Sequence, residues 1–219
     1  VATRLYLPSS STATPISPAI NSNWTGSGVT LSRINVNTIK AGTVLVSTPL
    51  TTAATADYCF WQFCSPAING AQTITGSIQS SLRGSQNTYG GAYAKCIVRS
   101  FTSTGTLRSI LVSNAEGASQ YNSPSLASRI LEGNTTITNG GVQDGDYLII
   151  EFGCVKYNAV SATLNLQIGD LPDIDLTATN GDTASNAPWV EFTSNISFKP
   201  TPPAPSDSTN GLMLRGIGT

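Results

Sequence analysis

The chain has no histidine in its 219 residues. That removes His-based triads, imidazole metal ligands and the usual proton shuttle at neutral pH. Charge is scarce as well. Lys, Arg, Asp and Glu make up 11% of the residues, against about 25% in an ordinary globular chain. The net charge is −1, so no basic stripe points to nucleic acid or an anionic membrane. No apolar run approaches the ~20 residues of a membrane span. The opening Val1-Ala2-Thr3-Arg4 leads only into Leu5-Tyr6-Leu7-Pro8, too short an apolar stretch for a signal peptide. Walker A, G-x-G-x-x-G and G-x-S-x-G motifs are all missing, and no base is at hand to activate a serine. The expectation is a non-enzymatic chain with no catalytic residue and no cofactor.

What the chain does have is Ser and Thr, about a quarter of all residues, and strand patterns separated by turn residues. Ala56 to Cys64, Ala92 to Phe101, Tyr147 to Val155 and Ala162 to Ile168 alternate or run apolar as buried strands do. Val36 to Val46, Gln72 to Leu82, Leu107 to Val112 and Trp189 to Phe198 add weaker patterns. Between them lie Asn69-Gly70, Gly90-Gly91, Asn139-Gly140 and Asn180-Gly181, which suit tight turns. Short, evenly spaced strands with such turns predict an all-β fold, an antiparallel β-sandwich of jelly-roll type. One short loop helix is expected at Ser123 to Leu131, with Pro124 near its start and Gly133 after it. The organisation expected is an N-terminal strand and extended arm over 1–22, the sandwich over 23–198, and a Pro-rich C-terminal arm over 199–219. Beyond the prolines, Leu212, Met213, Leu214 and Ile217 form a small apolar segment suited to assembly.

Four cysteines, Cys59, Cys64, Cys96 and Cys154, are candidate disulfide partners or small buried hydrophobes. Cys59 and Cys64 are an odd number apart, so a regular strand places them on opposite faces. Asp170, Asp173, Asp175 and Asp182 are the candidate calcium ligands, because calcium takes clustered oxygens. Their spacing fits no EF-hand, and the simpler reading is a solvated turn with no metal. Asp144-Gly145-Asp146 reads as a tight turn. Glu151 lies opposite Leu148, Ile150 and Phe152, either facing solvent or paired with Lys95, Arg99 or Lys156. Trp61 and Trp189 fall within strand patterns as core or interface anchors; together with Trp24 they are also candidates for stacking on sugars. The sequons at Asn23, Asn134 and Asn195 are what chance gives in so Asn-, Ser- and Thr-rich a chain.

Several blocks resemble a largely uncharacterised family encoded in tailed-phage genomes. They are Ala2-Thr3-Arg4-Leu5-Tyr6-Leu7-Pro8, Ser17-Pro18-Ala19 and Trp24, then Gln62-Phe63 with Ser65-Pro66, then Gly76. Gly145-Asp146-Tyr147, Glu151 and Gly153 follow, and Asn186-Ala187-Pro188-Trp189-Val190-Glu191-Phe192 is the most specific block. The four cysteines and the Pro-rich end depart from the pattern. The resemblance implies a virion structural protein, with no catalytic residues to carry over. The expected role is capsid decoration: a cement protein bridging capsomers as a homo-oligomer, in contact with a major capsid protein or another virion protein. The alternatives are a tail or neck structural protein, or a glycan-binding adhesion module of a tail fibre.

Overall fold

A computed structural model describes residues 2–121, 124–133 and 135–200. The described residues form strands and loops, with no helix among them. Two sheets face each other as a sandwich. The first runs β1 (Thr3–Tyr6), β13 (Trp189–Phe192), β6 (Ile78–Gln86), β12 (Ala162–Ile168), β3 (Val46–Thr52), with β9 (Ala127–Ile130) also on β6. The second runs β2 (Ser32–Asn35), β4 (Ala56–Cys64), β11 (Tyr147–Lys156), β7 (Ala92–Phe101), β8 (Leu107–Gln120). β5 (Gln72–Thr73) and β10 (Gly141–Val142) make a small ribbon. Among the described residues, the strands pair antiparallel except β2 with β4.

The core follows from the alternation. Ile150, Phe152 and Cys154 of β11 point inward with Ala94, Cys96 and Val98 of β7. Leu164, Leu166, Val190 and Phe192 meet them from the first sheet. Trp189 is buried too; its indole Nε1 donates to the Leu176 carbonyl at 2.8 Å, and the Arg4 guanidinium lies 4.0 Å from its ring. All three tryptophans are buried, so none offers an open face to a sugar.

Three expectations need correction. The stretch 127–131 is no helix: Ala127–Ile130 forms β9 and pairs with Ser81–Gly84. Local Pro and Gly signals lose there to the open edge of β6. Val36 to Val46 is no continuous strand either. Residues 36–45 form a loop between β2 and β3, with one bridge at Asn37, and only Val46 is in a strand, as the first residue of β3.

The third correction is in β4. Phe152 pairs with Trp61 but Gly153 pairs with Cys59, so Phe60 is an extra residue, a β-bulge. Phe60 and Trp61 both turn into the core, their ring centroids 5.5 Å apart. The bulge shifts the alternation by one. Cys59 and Cys64 therefore share the outer face of the sheet, with Gln62 between them.

Candidate functional site

The outer face of the second sheet is covered by its own chain. Residues 7–31 hold no strand and run as an extended strap from β1 to β2. Ile16 packs on Cys64, Phe101 and Ile149, while Trp24 packs on Cys59 and Ile97. Ser11 and Thr12 accept hydrogen bonds from Asn35 on edge strand β2.

Beneath the strap sits Glu151, 0% exposed. Its carboxylate accepts from Trp24 Nε1 at 2.8 Å, Gln62 Nε2 at 3.0 Å and the Asn21 backbone N–H at 3.2 Å. Arg99 pairs with it directly and also donates to the Ala19 carbonyl at 2.7 Å. Arg33 Nε holds Gln62 from its other side. A buried carboxylate is tolerated only when ionic and hydrogen-bonding partners surround it. Here they do, and two of them belong to the strap. Of Lys95, Arg99 and Lys156, Arg99 is the partner. Lys95 pairs with Asp57 at 2.6 Å and lies over the Trp24 ring. Closed off from solvent, the Glu151 oxygens act as a fastener.

The candidate calcium ligands do not converge. Asp170 accepts from the backbone N–H groups of Ala41 and Thr43 and from the Thr43 hydroxyl, all within 2.6 to 2.8 Å. Asp175 pairs with Arg4 at 2.8 Å and Lys40 at 2.7 Å. Asp182 accepts from the Ala184 N–H and the Thr177 hydroxyl. Asp173 faces solvent. Among the described residues no three such groups gather as a metal site would need. Asp144-Gly145-Asp146 is a turn, closed by Asp146 N–H to the Gln143 carbonyl at 3.1 Å.

Asp175 carries a pH dependence. Burial raises its pKa, but hydrogen bonds from Lys40 and Arg4 outweigh that and hold it below the ordinary 3.8. A depressed folded-state pKa stabilises above the unfolded value, and that gain is lost as pH falls through the folded one. Asp175→Asn is expected to melt earlier than the parent at pH 6, by about 1 kcal/mol. The gap should narrow as pH falls below 3.8 and vanish once pH is below the folded-state pKa. Tm against pH for both proteins checks this; a gap that persists in acid contradicts it.

All four cysteines are buried free thiols. Burial pushes the Cys64 thiol up to about 12, and Cys59, Cys96 and Cys154 also rise through burial. Thiolate is the reactive form. A thiol reagent at pH 8 is therefore expected to leave the native protein largely unmodified and to titrate all four groups after denaturation. A non-reducing gel should show a single monomer band.

At one end of the sandwich two grooves, of about 600 and 620 Å³, share Asn37, Ala41, Pro66, Lys199 and Pro200. The strap walls the first with Ser10 to Ala13 and Pro15, facing Asn35, Ser65 and Tyr147. Lys199 pairs with Asp144 at 2.8 Å beside them. Sequence reasoning missed these grooves because they arise where strap, turn and C-terminal segment meet. The residues marked for assembly, Leu212, Met213, Leu214 and Ile217, lie outside the described residues.

No family model matches the chain, and no curated protein matches it either. Among solved structures, one of infectious bursal disease virus, Gx strain, aligns at 13% identity over 71% of this chain and 41% of the other, with TM-score 0.27. T=1 particles derived from infectious bursal virus align at 13% identity over 83% and 41%, TM-score 0.27. The Gt strain aligns at 14% over 84% and 46%, TM-score 0.26. The chain spans less than half the length of these chains.

Proposed function

We propose that the chain is a virion structural protein, a decoration protein of a tailed-phage capsid that works with copies of itself across capsomer seams. The observation that carries this reading is where the phage-like blocks fall in the fold. Trp24 and Glu151 form the strap fastener, Gly153 faces the β4 bulge, and Trp189 to Phe192 form β13. A pattern built from scaffold residues fits a family maintained for its shape. The low charge supports the same reading, since polar-neutral surfaces can be buried against a particle without desolvating many ions. The action would be mechanical: many modest contacts, repeated over a shell, raise the cost of parting its units.

The test pairs mass analysis of the purified chain with its binding to empty phage heads. Ordered oligomers that attach and raise the temperature of head rupture support decoration. Binding to tails or necks but not heads moves the protein to that part of the particle. Indifference to every particle, with retention on a polysaccharide column, favours the adhesion module.

A further inference from the structure

Two loops at one corner expose an unusual number of aliphatic side chains. Ile39 is 78% exposed, and Val44, Val46, Leu171 and Ile174 are exposed with it. The loops are stitched together. Leu171 N–H donates to the Thr43 carbonyl at 2.7 Å, and Lys40 Nζ reaches the carbonyls of Pro172 and Asp173. Val46 pairs with Ile168 at the end of edge strand β3. Scattered exposed aliphatics are ordinary, but four from two joined loops, with Val46 at the adjoining end of β3, make a patch suited to contact. Asp173 stands among them with an exposed carboxylate that engages no described residue.

Ile39 also lines the groove where the described chain reaches Pro200. From there the sequence runs through Pro202, Pro203 and Pro205 to Leu212-Met213-Leu214-Arg215-Gly216-Ile217. The spacer begins beside the patch. At about 3.1 Å per residue, the spacing of a fully extended proline-type chain, a stretch of this length would span at most roughly 37 Å. The segment is apolar like the patch, and its one cation, Arg215, complements Asp173. A tether this short holds its cargo at about millimolar local concentration, well above that of other copies in dilute solution.

The geometry points to an intramolecular docking surface: the corner formed by Ile39, Val44, Val46, Leu171 and Ile174 receives the segment Leu212 to Ile217 of its own chain. This does not depend on the virion reading.

Disulfide trapping in the full chain tests it, because the native thiols are buried. Ile174→Cys is combined with Leu214→Cys. The control combines Leu214→Cys with Val160→Cys, exposed beyond the opposite end of β12. Under mild oxidation the first pair is expected to close within one chain at least about ten times faster than the control, a bias of ~1.4 kcal/mol at 10-fold. Adding Asp173→Lys should slow the first pair several-fold. Equal rates, or no closure at all, overturn the proposal. Disulfide-linked dimers as the main product overturn it too, and assign the segment to a neighbouring copy.

Discussion

Glu151→Ala is expected to lower the unfolding free energy by about 3–5 kcal/mol, the cost of breaking a buried ion pair from one side. The variant leaves the Arg99 guanidinium under the strap without its carboxylate, and leaves Trp24 Nε1, Gln62 Nε2 and the Asn21 N–H without their acceptor. Unfolding in urea measures the loss. Because two of those donors lie in the strap, its backbone should also become open to protease before the sheets do. Glu151→Gln keeps one oxygen acceptor and should lose less. Replacing both partners, Glu151→Leu with Arg99→Met, removes the stranded charge but should recover only part of the loss, since Trp24 Nε1, Gln62 Nε2 and the Asn21 N–H still lack their acceptor. A loss under about 1 kcal/mol for Glu151→Ala would mean the strap is held by Ile16 and Trp24 packing alone.

Gly153→Ala should be comparably severe, about 3 kcal/mol or more, at the upper end of what overpacking costs. A Cβ at this position would lie 1.8 Å from the Tyr58 carbonyl oxygen and 2.9 Å from its carbon. Both are backbone atoms of β4, an interior strand of the second sheet, and neither is a flexible side chain that can swing aside. The close approach is where the Phe60 bulge lets β4 bend against β11. Gly141→Ala provides the control. Nothing lies within 4 Å of its added methyl, so its effect should stay within about 0.5 kcal/mol. Thermal melts of the two variants side by side decide the matter. Equal Tm values would mean the bulge yields without cost.

The strands most legible in sequence are three buried on nearly every residue and one, β12, with clean alternation. Ala56–Cys64, Ala92–Phe101, Tyr147–Lys156 and Ala162–Ile168 carry dense apolar patterns, and the structure has each within a residue. The second half of β8, Ser113 to Gln120, carries little strand propensity. It is held by a ladder to β7 with several register shifts, which no local pattern announces. The bulge was equally hidden. Its only trace in sequence is a glycine on the neighbouring strand, and without it the parity of Cys59 and Cys64 misleads. Glu151 in the midst of apolar residues leaves two readings open in sequence, solvent-facing or paired with Lys95, Arg99 or Lys156; its burial against Arg99 decides between them. That Trp24 completes the same cluster depends on the path of the strap, a tertiary fact. The acidic stretch from Asp170 to Asp182 looked like a cluster because its members are close in sequence. Each carboxylate instead satisfies a different piece of backbone or a different cation.

Thr3–Tyr6 and Trp189–Phe192 are partners in one ladder, and the Thr3 hydroxyl caps the Ile196 N–H at 2.7 Å. During synthesis, β1 therefore leaves the ribosome long before the strand it must pair with exists. At roughly 5–20 residues per second, it waits on the order of ten seconds or more. Until then β1 has no neighbour in its sheet, and Leu5 and Leu7 have no closed core to enter. The nascent chain is most open to mispairing with another copy during this interval, so production at lower temperature or with chaperones should improve yield more than stabilising the finished fold would.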